Sequence, residues 1–598
     1  MANHNSGIGF WKAFLATILG IFASLFLFFI TLLVLGVSLG GNEVEVQDDS
    51  VLHLTLKTKI NELTQKDPLS DLDLPTVSTE EAIGLMDLIK TLKNAKADER
   101  IKGIYLDLSY VQAGFVTLTE LRNALLDFKE SGKFIYSFAD VMTEGAYFIA
   151  STADSVFLNP VGGIEMNGLA TERMYYKQAF DKYGIKPEIF RVGEFKSAVE
   201  PYFTDHMSDE ARFQTKTYLD SLNNFYLQEV AKSRKMSFSQ IKLVSDSMLA
   251  RMPEQALKYN LADRLVYRDQ AEDAIRNALG FEMEEGKKKK KIKFIKLDEY
   301  MEAESVLEET DSKNRIAVIV GEGTIMDGEG GNGVVGGNRI ATQIERARND
   351  KNVKAIVLRI NSPGGSALAS DNMWREVVLT KGVKPIIASM GDVAASGGYY
   401  MAMACDTIVA MPNTITGSIG VFGVLFQAKK LLNEVGLTFD VVQTGAYSNL
   451  GSPSNEFSEG ERRIIQSGVD KIYEDFTTKA ANGRNMEVSE IKKIAGGRVW
   501  IGAEAKDIGL VDVLGDFQTA LDIAANSAGL EEGDYRLKMY GAKKDDLLSK
   551  ILGGATADLK KQAIREELGT LYPVYKQIQQ LQKMQGNQLI MPWEVIIR

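Results

Sequence analysis

Residues 353–366 read VKAIVLRINSPGGS and residues 101–114 read IKGIYLDLSYVQAG, and the two stretches superpose without a gap when the chain is slid over itself by 252 positions. Lys102 falls on Lys354, Ile104 on Ile356 and Leu106 on Leu358. The same shift lays DVMTEGAYFIA, from Asp140, over DVAASGGYYMA, from Asp392, and pairs Pro160 with Pro412, Gly168 with Gly420, Gly184 with Gly436 and Gly193 with Gly445. An ungapped match over about a hundred positions is hard to obtain by chance. Upstream, VLHLTLKTKI from Val51 matches IAVIVGEGTI from Ile316 at a shift of 265; downstream, NLADRLV from Asn260 matches GLVDVLG from Gly509 at a shift of 249. At roughly 150 residues per domain the length would suggest about four units. The repeat reduces them to two copies of one large fold.

Within each copy, short β-branched runs alternate with amphipathic stretches. IKGIYLDL, KFIYSFA and SVFLNP read as strands in the first copy, VKAIVLRI, KPIIASM and DTIVAM in the second, with LTELRNALLDFKE and SDNMWREVVLT as helices. Such alternation implies an α/β fold of parallel βαβ units. The expected organisation is 1–45 as cytoplasmic tail and membrane anchor, 46–285 as the first copy, 286–313 as a Lys-rich linker, 314–540 as the second copy, and 541–598 as a helical extension packing on a neighbour. The linker holds seven lysines between Lys287 and Lys296 and reads as a solvated connector. The Gly-rich DGEGGNGVVGGN from Asp327 reads as a flexible loop and lacks the GK[ST] ending of a phosphate-binding loop.

No charge falls between Lys12 and Glu43, and Ala13 to Leu39 is almost wholly apolar. As a helix this run would be roughly 40 Å long, enough to cross a bilayer core of about 30 Å, whereas the apolar part of a secretory signal spans only about 7–15 residues. An uncleaved single-pass anchor is expected. Lys12 precedes it and the next basic residue is Lys57, which leaves the tail in the cytoplasm and the body outside.

Composition narrows the chemistry. The net charge of −11 argues against nucleic acid, which needs a basic surface. One cysteine, Cys405, forms no internal disulfide, and three scattered histidines, His4, His53 and His206, make neither a metal site nor an evident catalytic triad. No cofactor or metal is expected.

Duplicated folds keep their packing positions and diverge where they work. After the KPIIASM strand the second copy has GDVAASGGYY with Ser396, where the first has Glu144. After VKAIVLRI the second has NSPGGS, against SYVQAG; Gly364 and Gly365 leave backbone N–H groups open to a ligand, as an oxyanion hole requires. A serine among glycines is also a common turn or helix-cap residue. The shift that aligns the copies lays Lys196, in RVGEFKSAVEPYF, over Ser448. A buried lysine can lose its proton and act as a base. The copy without the serine therefore offers the lysine, which suggests one site assembled from both.

RINSPGGS from Arg359, GDVAASGGYY from Gly391, TGSIGVFG from Thr416 and FRVGEFKSAVEP from Phe190 together resemble the signal peptide peptidases of the protease IV type, in their long form of two crotonase/ClpP-like repeats. The resemblance runs from about Val51 to Asp512. It implies a ββα superhelix, a serine endopeptidase with Ser396 as nucleophile, Lys196 as general base and Ser418 orienting the lysine, and oxyanion donors among the amides of Gly364, Gly365 and Gly397. It further implies extended apolar substrates, chiefly signal peptides left in the membrane, and a homotetramer on the cytoplasmic (inner) membrane with its body on the periplasmic side. Two other readings stand beside it. One is a crotonase-type acyl-CoA hydratase or isomerase using Glu144; the other is a non-catalytic membrane scaffold.

Overall fold

The computed structural model describes residues 44–65, 82–281, 289–307, 310–331, 333–540 and 587–591, together with parts of 14–27. Each copy is built on a sheet whose core strands run parallel. In the first copy the order is Arg264–Leu265, Ser155–Ile164, Phe134–Met142, Ile101–Asp107, Ser50–Leu54, Lys293–Lys296. In the second it is Val499–Ile501, Ile415–Gly417, Ile386–Ala395, Val353–Ser362, Arg315–Glu322, Arg536–Tyr540. Register confirms the duplication at the level of single pairs. Val51 faces Gly103 in the first copy and Ile316 faces Ala355 in the second, positions related by the two shifts found in the sequence.

The strands are near-continuous apolar runs because helices cover them. Phe115–Lys129 and Ala367–Thr380, both anticipated from their spacing, bury Leu118, Leu121 and Leu125 in one core and Met373 and Val377 in the other. Burial of each such side chain contributes about 1.5–3 kcal/mol.

Three segments differ from expectation. Residues 293–302 of the Lys-rich stretch are part of the first copy: Lys293–Lys296 adds a parallel edge strand beside Ser50–Leu54, and Leu297–Glu302 is a helix that buries Leu297 and Tyr300. Phe294 and Ile295 point to opposite faces of the strand, Ile295 into the main core and Phe294 against the cluster of Val51 and Tyr105, and this two-sided burial outweighs the run's charge. The Gly-rich stretch contains a small antiparallel hairpin, Gly330–Gly331 with Val334–Gly336. In the C-terminal extension the helical stretches read from the sequence lie outside the described residues, and the described part, Asn587–Ile590, is a strand. The apolar run 13–39 also lies largely outside them; its described residues between 14 and 27 are helical. No helix among the described residues is long and apolar enough to cross a membrane.

Two polar junctions, one buried and one half-buried, fasten the copies together. Arg359 of the second copy, fully buried, donates from Nε to Glu62 at 2.9 Å and from both terminal nitrogens to Glu120 at 2.9 and 3.0 Å. Asp392 accepts from the backbone N–H of Val116 at 2.7 Å and of Thr117 at 3.0 Å and from the Thr117 hydroxyl at 2.7 Å, capping a first-copy helix with a second-copy carboxylate. Deleting one member of a buried ion cluster strands the others. Arg359→Ala should therefore lower stability by about 3–5 kcal/mol, measured as a fall in the denaturant midpoint.

Candidate active site

A third sheet carries the first copy into the second. Lys186–Val192 of the first copy runs antiparallel to Val421–Gln427 of the second, from Val192 opposite Val421 to Lys186 opposite Gln427. The chain then turns at Gly193 and delivers Lys196 beneath the second copy's serine.

Ser396 ends the strand Ile386–Ala395 and precedes the helix Gly397–Ala402. Its backbone has φ 55° and ψ −112°, a conformation that L-residues rarely adopt and that lifts the side chain out of the sheet. Its N–H donates to the Gly417 carbonyl at 2.8 Å and its carbonyl accepts from Tyr400 at 2.8 Å. At Gly398 a β-carbon would stand 2.6 Å from the Ser362 carbonyl, so glycine is what lets this turn approach the SPGG turn.

The Lys196 amine meets three oxygens: Ser396 Oγ at 2.7 Å, the Ser418 carbonyl at 3.1 Å and Ser418 Oγ at 3.1 Å. All three residues are fully buried. Burial alone drives the lysine pKa well below its ordinary value, with no carboxylate to offset it. A neutral amine has two hydrogens and one lone pair. With the hydrogens directed at the two Ser418 oxygens, the lone pair is left for the Ser396 hydroxyl.

The lysine's cage contains residues that the sequence reading did not single out. Gly497, with φ 82°, presses on the lysine: a β-carbon there would stand 2.7 Å from Lys196 Cβ. Phe195 N–H donates to the Gly496 carbonyl at 3.0 Å, and Ser418 N–H donates to the Arg498 carbonyl at 2.7 Å. Gln214 donates to the Phe195 carbonyl at 2.9 Å and accepts from Val499 N–H at 3.2 Å, tying the lysine loop to the second copy. The signal for this wall was the glycine pair in AGGRVW, directly after the helix Val488–Ile494.

Gly364 (φ 100°) and Gly365 (φ 158°) form the SPGG turn, and at Gly365 a β-carbon would stand 1.9 Å from the Ile325 carbonyl oxygen. Gly364 N–H donates to Ser362 Oγ at 3.2 Å. The counterparts of the pair are not brought together. Glu144 is buried and accepts from the N–H groups of Asn167 at 2.7 Å and Gly168 at 2.8 Å, so it braces a loop. Ser448 is exposed. His53 lies 3.3 Å from Asp107 in the first sheet and His206 beside Asp205 on the surface, neither at Ser396; His4 is outside the described residues. Among the described residues no group of histidine, cysteine and acidic side chains could hold a metal ion.

The family model described as "Peptidase family S49" matches residues 127–282 and 379–531, one segment in each copy. A protein described as "Protease 4" from Haemophilus influenzae is 34% identical over 542 residues, covering 87% of this chain and 85% of its own. A "Protease 4" from Salmonella typhi is 36% identical over 75% of this chain and 72% of its own. A protein from Arabidopsis thaliana described as "Serine protease SPPA, chloroplastic" is 32% identical over 81% of this chain and 70% of its own. The chain is thus a serine protease built from two α/β repeats. It belongs to peptidase family S49, of the protease IV type.

The buried amine has a measurable cost to the fold. Its pKa is lower folded than unfolded, so unfolding takes up a proton in the window between the two values; there stability rises with pH, and the penalty disappears above the ordinary lysine pKa. Lys196→Met keeps the length and removes the penalty. The variant should melt at a higher temperature than the parent at neutral pH.

Proposed function

We propose that the chain is a membrane-anchored endopeptidase whose catalytic pair is Ser396 and Lys196, acting on extended apolar peptides, chiefly signal peptides left in the membrane. The observation that carries this reading is the 2.7 Å approach of a buried lysine amine, its pKa driven well down by burial, to a serine hydroxyl held in a strained turn. Ser396 Oγ attacks the peptide carbonyl as its proton passes to Lys196 Nζ. The lysine then gives that proton to the leaving amine, and water activated by the same amine releases the acyl group from Ser396. Ser418 occupies both amine hydrogens and so points the lone pair. Gly364 N–H is engaged by Ser362 Oγ, which favours Gly365 and Gly397 as the donors to the oxyanion.

Anchoring rests on the apolar run 13–39 and outward orientation on Lys12. Assembly as a homotetramer is supported by the second copy's counterpart of the Lys186–Val192 strand. There Leu437, Phe439 and Val442 are exposed, Val442 at 96%, and the segment pairs with no strand among the described residues. A second chain would cover it.

Ser396→Ala and Lys196→Ala should each lower cleavage of an extended apolar peptide by about 10³-fold or more with folding intact. Retained turnover in Lys196→Ala would exclude the pair. The parent rate should rise as pH passes upward through the lowered lysine pKa, because the base acts when neutral; a falling rate over that limb would contradict the mechanism. Release of the full chain from membranes should require detergent, the released particle should have the mass of four chains, and Val442→Asp should reduce that mass.

A further inference from the structure

The long helix that follows the lysine loop has a twin. Asp209–Arg234 in the first copy and Glu459–Arg484 in the second are each 26 residues long, and they superpose when Ser208 is laid on Ser458. Those two serines are the N-caps, accepting from the N–H groups of Ala211 and Glu461, and the last residues, Arg234 and Arg484, pair with Asp263 and Asp512. Tyr226 and Phe476 hold equivalent buried positions in the two cores. Within this common frame the sixth helical position diverges. It is Gln214 in the first copy, 2% exposed, and Ile464 in the second, 42% exposed.

Gln214 engages its whole amide. Nε2 donates to the Phe195 carbonyl at 2.9 Å and to the Ser197 hydroxyl at 3.1 Å, one on either side of Lys196, and Oε1 accepts from Val499 N–H at 3.2 Å. Val499 stands opposite Gly417, whose carbonyl takes the N–H of Ser396, and Arg498 beside it takes the N–H of Ser418. One side chain therefore refers the lysine loop to the backbone that carries the serine and to the backbone that orients the amine. The Ser208 hydroxyl adds a second tie from the same helix, donating to Glu200 just past the loop at 2.6 Å. An apolar side chain at position 214 would leave Val499 N–H buried without its partner. The divergence tracks the chemistry: the copy that has the lysine has the glutamine, and the copy with Ser448 in the lysine's place has an isoleucine at the surface.

We propose that Gln214 is a positioning residue for the reaction, setting the reach of the Lys196 amine to Ser396 Oγ by holding the loop on both sides of the lysine against the strand of Val499. It makes no hydrogen bond to either reacting atom and acts through the backbone around them. The proposal rests on the reading of Ser396 and Lys196 as the catalytic pair. A misplacement of about 1 Å at a reacting group lowers a rate by about 10²-fold. A loosened loop also lets water reach the amine, which restores hydration to the ammonium and moves the lysine pKa back up.

The test compares the parent with Gln214→Leu, which removes all three hydrogen bonds at similar size, and with Gln214→Glu, which keeps the shape and the acceptor for Val499 but loses the donor to Phe195 and adds a charge near the amine. Both should lower kcat for an extended apolar peptide by about 10²-fold with KM within about twofold of the parent. In both, the acid limb of the rate profile should move to higher pH by about one unit, since hydration and a nearby carboxylate each favour the ammonium. A residue that only packs would lower the melting temperature and leave that limb in place. The proposal is overturned if the limb stays fixed and kcat remains within about threefold in both folded variants, or if neither variant folds. Lys196→Ala, assayed in parallel, separates the two readings: turnover retained there removes the catalytic pair itself, whereas turnover lost there and unchanged in both Gln214 variants removes only the role of Gln214.

Discussion

A primary amine in a chamber without a counter-charge is the constraint around which the site is arranged. An ammonium in that position loses its hydration and gains no carboxylate in return, so the lysine pKa is pushed well below its ordinary value. Everything near Lys196 serves that end. Ser418 supplies two oxygens that accept from the amine without adding charge, and glycines at 420 and 497 let backbone close over the side chain. The chamber is also split: the lysine comes from one copy and nearly all its walls from the other. The amine's chemistry therefore depends on how firmly the copies are joined, and the charged groups are placed at that joint, in the Arg359 cluster and the Asp392 cap, away from the amine.

The paired copies also explain how a fold with little histidine carries out acyl transfer. Each copy has the strand, the turn and the lysine loop, and in each only part of the equipment is retained. In the first copy Glu144 replaces the serine and braces a loop through two backbone N–H groups. In the second the position equivalent to Lys196 is Ser448, at the surface. Among the described residues Ser396 and Lys196 thus meet at the junction of the copies, and their counterparts do not meet.

Much of this was legible in the sequence because the repeat supplied an internal comparison. The parallel core strands and the two main helices follow from apolar runs and helical spacing, and the 252-residue shift gives the reciprocal placement of Ser396 and Lys196 in the two copies. What escaped were contacts between segments remote in sequence and unmarked by periodicity. The Gly496–Gly497 wall matters because it meets Phe195 and Lys196, some three hundred residues earlier, and a glycine pair after a helix looks like an ordinary stop. Charge misled in the Lys-rich stretch, where burial of the adjacent Phe294 and Ile295 on the two faces of one strand decided the outcome. Asn587–Ile590 was invisible because four residues carry too weak a pattern to suggest which edge they join.

The 200 positions that separate Lys196 from Ser396 also set an order in time. At roughly 5–20 residues per second of synthesis, Lys196 is made about 10–40 s before Ser396. During that interval the growing chain carries Lys196 without the walls that bury it, which come from the second copy. Contact between Lys196 and Ser396 is thereby the last thing the chain acquires, since it waits on both the synthesis and the docking of the second copy.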